Sequence, residues 1–208
     1  MSSASDELSV VSRETVIVVG NGMVSHRFCE AMRAKVGPER ARILVFGEET
    51  WPAYDRVQLT KYFELSSATP LLLGTSAWYA ERDIELHTAV RVDAVDLVSR
   101  EVVTDRGERH AFDRLVLATG SLAFVPPVPG IDREGVFVYR TIDDLDAIRA
   151  YASKAKRCAV LGGGLLGLEA ARAVQQCGVE AHVIEMAPRL MPRQIDAIGG
   201  RLLKRAIE

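Results

Sequence analysis

Two glycine-rich turns with identical spacing constrain this chain more than any other feature. Gly20, Gly22 and Ser25 stand in G-N-G-M-V-S, and Gly162, Gly164 and Gly167 stand in G-G-G-L-L-G. Each set follows an apolar run, opens an apolar helical pattern and leads to a carboxylate at the end of a second strand. In such a unit the first glycine permits the tight strand-to-helix turn. The second lets a phosphate approach the backbone, and the third lets helix and strand pack closely. Helix-terminal amides, here of Met23 and of Leu165 and Leu166, then hold the phosphates with the helix dipole. Two such units imply two dinucleotides in one chain, with electrons passed between them.

The surrounding pattern implies an α/β fold, a Rossmann-like domain with an antiparallel β insert followed by an incomplete second Rossmann unit. A leader over residues 1–12 reads as disordered. Residues 15–19, T-V-I-V-V, form a buried parallel strand because β-branched residues run without polar alternation. Val24, Phe28 and Met32 then place an apolar stripe on a helix that stops near Gly37-Pro38, and residues 43–46 form the next strand. Short alternating pieces around residues 84–86, 90–95, 101–103 and 109–111, with a turn at Asp105-Arg106-Gly107, predict an antiparallel insert over about 84–112. A buried strand at residues 115–118 follows, and the prolines of P-P-V-P-G break the chain after it, so the first domain is placed at 13–130.

The second domain, 131–208, begins with a capping-box pattern at Thr141-Ile142-Asp143-Asp144 and a helix through Ile148 and Tyr151. A strand at 158–161, a helix at 165–176 and a strand at 181–185 complete another βαβ unit, and the chain ends in a further helical pattern. An open doubly wound sheet normally adds more strands, so this domain reads as truncated. The sheet edge it exposes leaves a homo-oligomer open.

With 208 residues and 48% hydrophobic content there is room for one large or two small domains. A net charge of -2 gives no basic face for nucleic acid or an acidic membrane surface. The start, M-S-S-A-S-D-E-L, lacks the positive and apolar regions of a signal peptide, and no apolar run reaches spanning length, so a cytoplasmic location without membrane partners is expected. Cys29, Cys158 and Cys177 are odd in number and far apart, and read as structural thiols rather than disulfide or metal ligands. His26, His87, His110 and His182 are dispersed and suggest no metal site.

Glu48 lies just beyond the second strand of the first unit and Glu185 ends that of the second, where a carboxylate accepts hydrogen bonds from ribose hydroxyls. Glu49 competes with Glu48 for that role. Glu185 also repels a 2′-phosphate, favouring NADH over NADPH, while Arg189 nearby softens the preference.

Two such units separated by an antiparallel insert and followed by A-T-G at Ala118, Thr119 and Gly120 resemble the two-dinucleotide-binding flavoprotein reductases. Within them the chain is most similar to the amino-terminal part of NAD(P)H-dependent nitrite reductase large subunits. The stretches that carry this are V-V-G-N-G-M-V-S-H-R-F, F-G-E-E-T-W-P-A-Y-D-R-V-Q-L-T, L-A-T-G-S, V-F-V-Y-R-T-I-D-D-L and G-G-G-L-L-G-L-E-A-A. The resemblance implies FAD in the first unit and NADH in the second, with hydride passing from the nicotinamide to the flavin. It places Arg56 and Lys61 of Y-D-R-V-Q-L-T-K against the flavin or its pyrophosphate and Val92 against adenine through its backbone.

Full-length members pass electrons through an iron–sulfur cluster to sirohaem, where nitrite becomes ammonia. The cysteines for that apparatus are absent, so the expected partner is a downstream redox domain or an electron-acceptor protein. The L-T-K ending at Lys61 resembles the L-S-K of ferredoxin- and rubredoxin-reductase relatives, whose lysine approaches the flavin N5. Lys61 is therefore the one catalytic candidate, with a solvated surface lysine as its alternative. No cysteine pair lies around residues 57–62, which excludes thiol exchange. Three readings follow: a partial nitrite reductase flavin module, a fragment of a ferredoxin- or rubredoxin-type reductase, and a non-catalytic nucleotide-binding remnant or partner subunit.

Overall fold

The computed structural model describes residues 13–208, and the leader expected over 1–12 lies outside the described residues. The chain forms two compact units. One comprises the chain up to Asp55 with Leu72–Ser121, and the other comprises Arg56–Leu71 with Leu122–Glu208.

In the first unit, β1 (Glu14–Val19), α1 (Met23–Arg33) and β2 (Ala41–Phe46) make a βαβ unit in which Val16 pairs with Ile43 and Val18 with Val45. A short helix α2 (Ser76–Ala80) leads to β3 (Ile84–His87). Strands β4 (Val92–Asp96), β5 (Glu101–Thr104) and β6 (Arg109–Ala111) precede β7 (Arg114–Leu117). The main sheet has the order β3-β2-β1-β7, all parallel, and β4-β5-β6 form a separate antiparallel sheet.

Successive residues of β1 and β2 feed two cores, which is why these strands show no polar alternation. Val16, Val18, Ile43 and Val45 pack with Cys29 and Tyr79, whereas Ile17, Val19, Leu44 and Phe46 pack with Val90, Val102 and Phe112. Ile17 and Ile43 are fully buried, and truncating either to Ala costs about 2–5 kcal/mol. Burial pushes the Cys29 thiol up to about 11, as expected of a structural cysteine.

Three expectations need correction here. Residues 84–86 do not open the antiparallel insert: β3 pairs in parallel with β2, because Ile84 and Leu86 complete the α1-facing core, and the antiparallel ladder begins at Val92. Val24 is not part of the buried stripe of α1. It is 72% exposed, and the buried positions are Ser25, His26 and Cys29, with Phe28 and Met32 half-buried against the same core as expected. Residues 115–117 are not fully buried, because β7 is the outermost strand of its sheet and Leu117 is 65% exposed.

The second unit begins with 3-10 turns at Arg56–Glu64 and Thr69–Leu71, which the sequence pattern did not announce. Arg149 anchors the longer one, stacking 4.3 Å over the Tyr62 ring and donating to the Tyr62 carbonyl, while the Tyr62 hydroxyl bonds Asp146. Then follow α3 (Ile142–Ala152), β8 (Arg157–Leu161), α4 (Leu165–Gln176), β9 (Glu180–Ile184) and α5 (Ala197–Ile207). Strands β8 and β9 pair in parallel, with Cys158 against Ala181 and Leu161 against Ile184. The capping box forms as expected: the Asp144 amide donates to Thr141 Oγ1 at 3.1 Å, and the Thr141 amide donates to Asp144 Oδ2 at 2.8 Å. Among the described residues no helix is long and apolar enough to cross a membrane.

Candidate functional site

Each glycine turn ends in a helix whose first amides are left open. In the first unit Gly20 has φ +103°, and a Cβ there would lie 2.2 Å from the Ala118 carbonyl oxygen, so only glycine fits. This close approach brings the A-T-G segment, Ala118 to Gly120, directly against the turn. The first intrahelical bond of α1 runs from the His26 amide to the Gly22 carbonyl at 3.0 Å, leaving the amides of Met23, Val24 and Ser25 without an intrahelical partner. Gly22 caps the helix in an extended conformation with no side-chain bond, and a Cβ at Gly22 would meet nothing within 4 Å. Open space before uncapped helix-terminal amides is the arrangement that can receive an anion. Ser25, at the third position, is fully buried.

The carboxylate loop follows β2. Glu49 is engaged, accepting a 2.6 Å hydrogen bond from the Tyr54 hydroxyl, while Glu48 is exposed. Val92 opens β4 opposite Thr104, just before a β-bulge that shifts the register between Val92 and Ala94. Arg56 and Lys61 belong to the other compact unit, on its first 3-10 segment. There Arg56 donates to the Arg140 carbonyl at 3.0 Å, and Lys61, exposed, donates to Gln58 at 2.7 Å.

The second unit repeats the design. Gly162 has φ +110°, and α4 begins at an extended Gly164 with no side-chain cap. Its first intrahelical bond is Leu168 N–H to the Gly164 carbonyl at 3.0 Å, leaving the amides of Leu165, Leu166 and Gly167 open. A Cβ at Gly164 would again meet nothing within 4 Å, whereas one at Gly167 would fall 1.9 Å from the Gly162 carbonyl oxygen. Helix and strand therefore touch backbone to backbone at Gly167, the role the third glycine is expected to fill.

Glu185 sits just past β9 and ties back to the turn. Its Oε2 accepts from the Gly163 amide and its Oε1 from the Ala187 amide, both at 2.7 Å. These backbone bonds hold its carboxyl below the ordinary carboxylate range. The loop closes further through the Met191 amide, which donates to the Gly163 carbonyl at 2.9 Å. Arg189 is engaged locally, donating to the carbonyls of Pro192 at 3.0 Å and Ile195 at 3.4 Å.

Two groupings escaped the sequence reading. Asn21, between the two glycines of the first turn, bonds Tyr79 of α2, a helix that was not anticipated, and His26 of α1 packs on Trp78 and Tyr79 beside it. Thr75 just before S-A-W-Y was its available signal, because the Thr75 side chain accepts from the Trp78 amide. His87 and His110, distant in sequence, both pack on Phe46, with ring centroids at 4.7 Å and 4.9 Å. Among the described residues no group of three or more His, Cys, Asp or Glu could hold a metal ion.

The family model for pyridine nucleotide-disulphide oxidoreductases matches residues 14–208. The chain is 47% identical over 197 residues to the nitrite reductase [NAD(P)H] large subunit of Klebsiella oxytoca, covering 95% of this chain and 21% of that protein. It is 43% identical over 198 residues to the nitrite reductase (NADH) large subunit of Escherichia coli (strain K12), covering 95% of this chain and 23% of the other. Among solved structures, the NADH:rubredoxin oxidoreductase from Clostridium acetobutylicum superposes with a TM-score of 0.82 at 25% identity, over 94% of this chain and 50% of that one. The chain thus spans between a fifth and a quarter of the length of these curated relatives.

Proposed function

Because this chain belongs to the pyridine nucleotide-disulphide oxidoreductase family, we propose that it is the flavin-reducing module of a nitrite reductase large subunit. FAD occupies the domain at 13–130 through the first glycine turn, and NADH occupies the domain at 131–208 through the second. One observation carries this reading. Among the described residues, α2, α3 and α5 are capped by the side chains of Thr75, Thr141 and Asp196, and only α1 and α4, which follow the glycine fingerprints, lack a side-chain cap. Neither has an acidic residue in its first turn to compete with a phosphate.

The amides of Met23 to Ser25 bind the FAD pyrophosphate, Glu48 accepts from its ribose, Val92 meets adenine through its backbone, and Ala118-Thr119-Gly120 flanks the turn. The amides of Leu165 to Gly167 bind the NADH pyrophosphate, with Glu185 on the ribose. Arg189, held by loop carbonyls, shapes that loop rather than attracting a 2′-phosphate, which keeps the preference for NADH. Arg56 and Lys61 supply positive charge that stabilises a reduced flavin. With both nucleotides held, NADH would supply a hydride to FAD, and the two electrons it carries would then pass singly or as a pair to a downstream redox domain or acceptor protein in the cytoplasm.

A ferredoxin- or rubredoxin-type reductase is the second reading, favoured by the exposed Lys61 of L-T-K. The deciding experiment is the visible absorption of the purified chain with FAD, before and after anaerobic addition of NADH. Bleaching of bound flavin supports the module. Bound flavin that stays oxidised refutes the NADH assignment, and absence of bound flavin leaves a nucleotide-binding remnant. Rapid reoxidation by rubredoxin or ferredoxin alone favours the second reading.

A further inference from the structure

The geometry points to Asn21 and Tyr79 as positioning residues that lock the first phosphate turn and the neighbouring carboxylate loop into one rigid cradle. The inference rests on the dinucleotide reading of that turn. Asn21 Nδ2 donates to the Trp51 carbonyl at 3.3 Å, which fixes the amide orientation and turns Oδ1 toward Tyr79. The Tyr79 hydroxyl donates to Asn21 Oδ1 at 3.1 Å. His26 Nδ1 lies 3.5 Å from the same oxygen, and the His26 ring packs on Trp78 with centroids 4.4 Å apart.

Asn21 also buttresses the carboxylate loop directly, since a Cβ on Gly47 would fall 2.6 Å from the Asn21 Cβ. Gly47 precedes Glu48, and its amide is pinned to the His87 carbonyl at 2.9 Å. One side chain therefore joins the turn that faces phosphate, the loop that carries Glu48 and the helix that carries Tyr79. Tyr79 is 1% exposed, so its hydroxyl has no water to replace these partners.

Tyr79→Phe keeps the ring in the core and removes only the hydroxyl, leaving Asn21 Oδ1 short of a buried partner. The FAD dissociation constant is expected to rise roughly tenfold, the usual consequence of one broken buried hydrogen bond. NADH binding at the second turn serves as the internal control and stays within twofold. Asn21→Ala has the same effect, and the double variant is no worse than the weaker-binding single one, because both act through one link.

In the ligand-free chain, amide hydrogen exchange at residues 20–24 and 47–49 speeds up in Tyr79→Phe while residues 162–168 are unchanged. Unaltered exchange at both segments overturns the positioning role whatever FAD does. FAD affinities within twofold of the parent, effects of the two variants that multiply, or parallel loss of FAD and NADH binding also overturn it. A parent chain that takes no FAD refutes the functional reading of the turn, and exchange alone then decides the positioning role.

Discussion

Reciprocal exchange at the third fingerprint position tests whether helix–strand contact governs each nucleotide site. In Gly167→Ser the new Cβ starts 1.9 Å from the Gly162 carbonyl oxygen, and real Cβ contacts essentially never fall below 3.0 Å. Helix α4 must therefore retreat from β8 by about 1.1 Å, an overpacking distortion that costs about 1–3 kcal/mol. The retreat carries the amides of Leu165 and Leu166 away from the position proposed for the phosphates. If that whole cost falls on binding, NADH affinity drops roughly 5- to 150-fold, with a loss in melting temperature of about 2–4 °C per kcal/mol. In Ser25→Gly the same position is emptied in a helix that already accommodates a buried side chain. The expected cost is about 0.5 kcal/mol of helix propensity, with FAD affinity nearly intact. Titration of each variant with NADH and FAD, by fluorescence, separates the outcomes. NADH binding within twofold of the parent in Gly167→Ser, or a Ser25→Gly variant as impaired as Gly167→Ser, would refute the reasoning.

Glu185→Ala removes the 2.7 Å bond that ties the carboxylate loop to its turn at Gly163 and the 2.7 Å bond within the loop at Ala187, so NADH affinity falls and the preference over NADPH narrows; unchanged selectivity removes Glu185 from the ribose role. Because the Ala187 and Gly163 amides depress its pKa, the carboxylate persists down to pH values below the ordinary 4.5, and NADH affinity measured from pH 8 to 5 should show no titration from this group. Thr141→Ala deletes the capping box of α3 and costs about 1 kcal/mol, read as a lowered denaturation midpoint. Burial, and then His110, lowers the pKa of His87 below 6.5, so the unfolded chain binds the extra proton and stability declines as pH falls below that value. His26 is lowered by burial in the same window, so His87→Phe flattens only part of the melting-temperature slope between pH 7 and 5; an unchanged slope excludes His87.

The βαβ units were legible because they are written in two periodicities at once. Residues 15–19 and 43–46 could only be doubly covered strands, and the glycine spacing fixed where each helix starts, as β1, β2 and α4 show. Strand β3 was misread because I-E-L alternates, yet alternation reflects one covered face only when the strand lies at an accessible edge, as Glu85 does beside Arg42. The α1 stripe was misread at one position. Phe28 and Met32 of the stripe pack against the core, but the fully inward positions go to Ser25, His26 and Cys29, and the one residue that periodicity put on the wrong face is Val24. The 3-10 segment Arg56–Glu64 has no local signature at all, since its anchor is Arg149, 87 residues beyond Tyr62.

The two turns share their spacing yet are braced by different means, and the middle residue accounts for the difference. In the first turn that residue is Asn21, whose side chain reaches Trp51 and Tyr79, so the brace is independent of the ribose carboxylate. In the second it is Gly163, where a Cβ would lie 2.6 Å from Leu190, and the brace is the backbone amide held by Glu185 itself. Glu185 thus shapes its turn in addition to its proposed role on the ribose, while the proposed role of Glu48 carries no such shaping task. Replacing Glu48 with Ala should weaken FAD through the lost ribose bonds alone and leave amide exchange at residues 20–24 unchanged. Replacing Glu185 with Ala should weaken NADH and also speed exchange at residues 162–165. Equal behaviour of the two variants would mean that the carboxylates do the same work and that the middle residue does not set the brace.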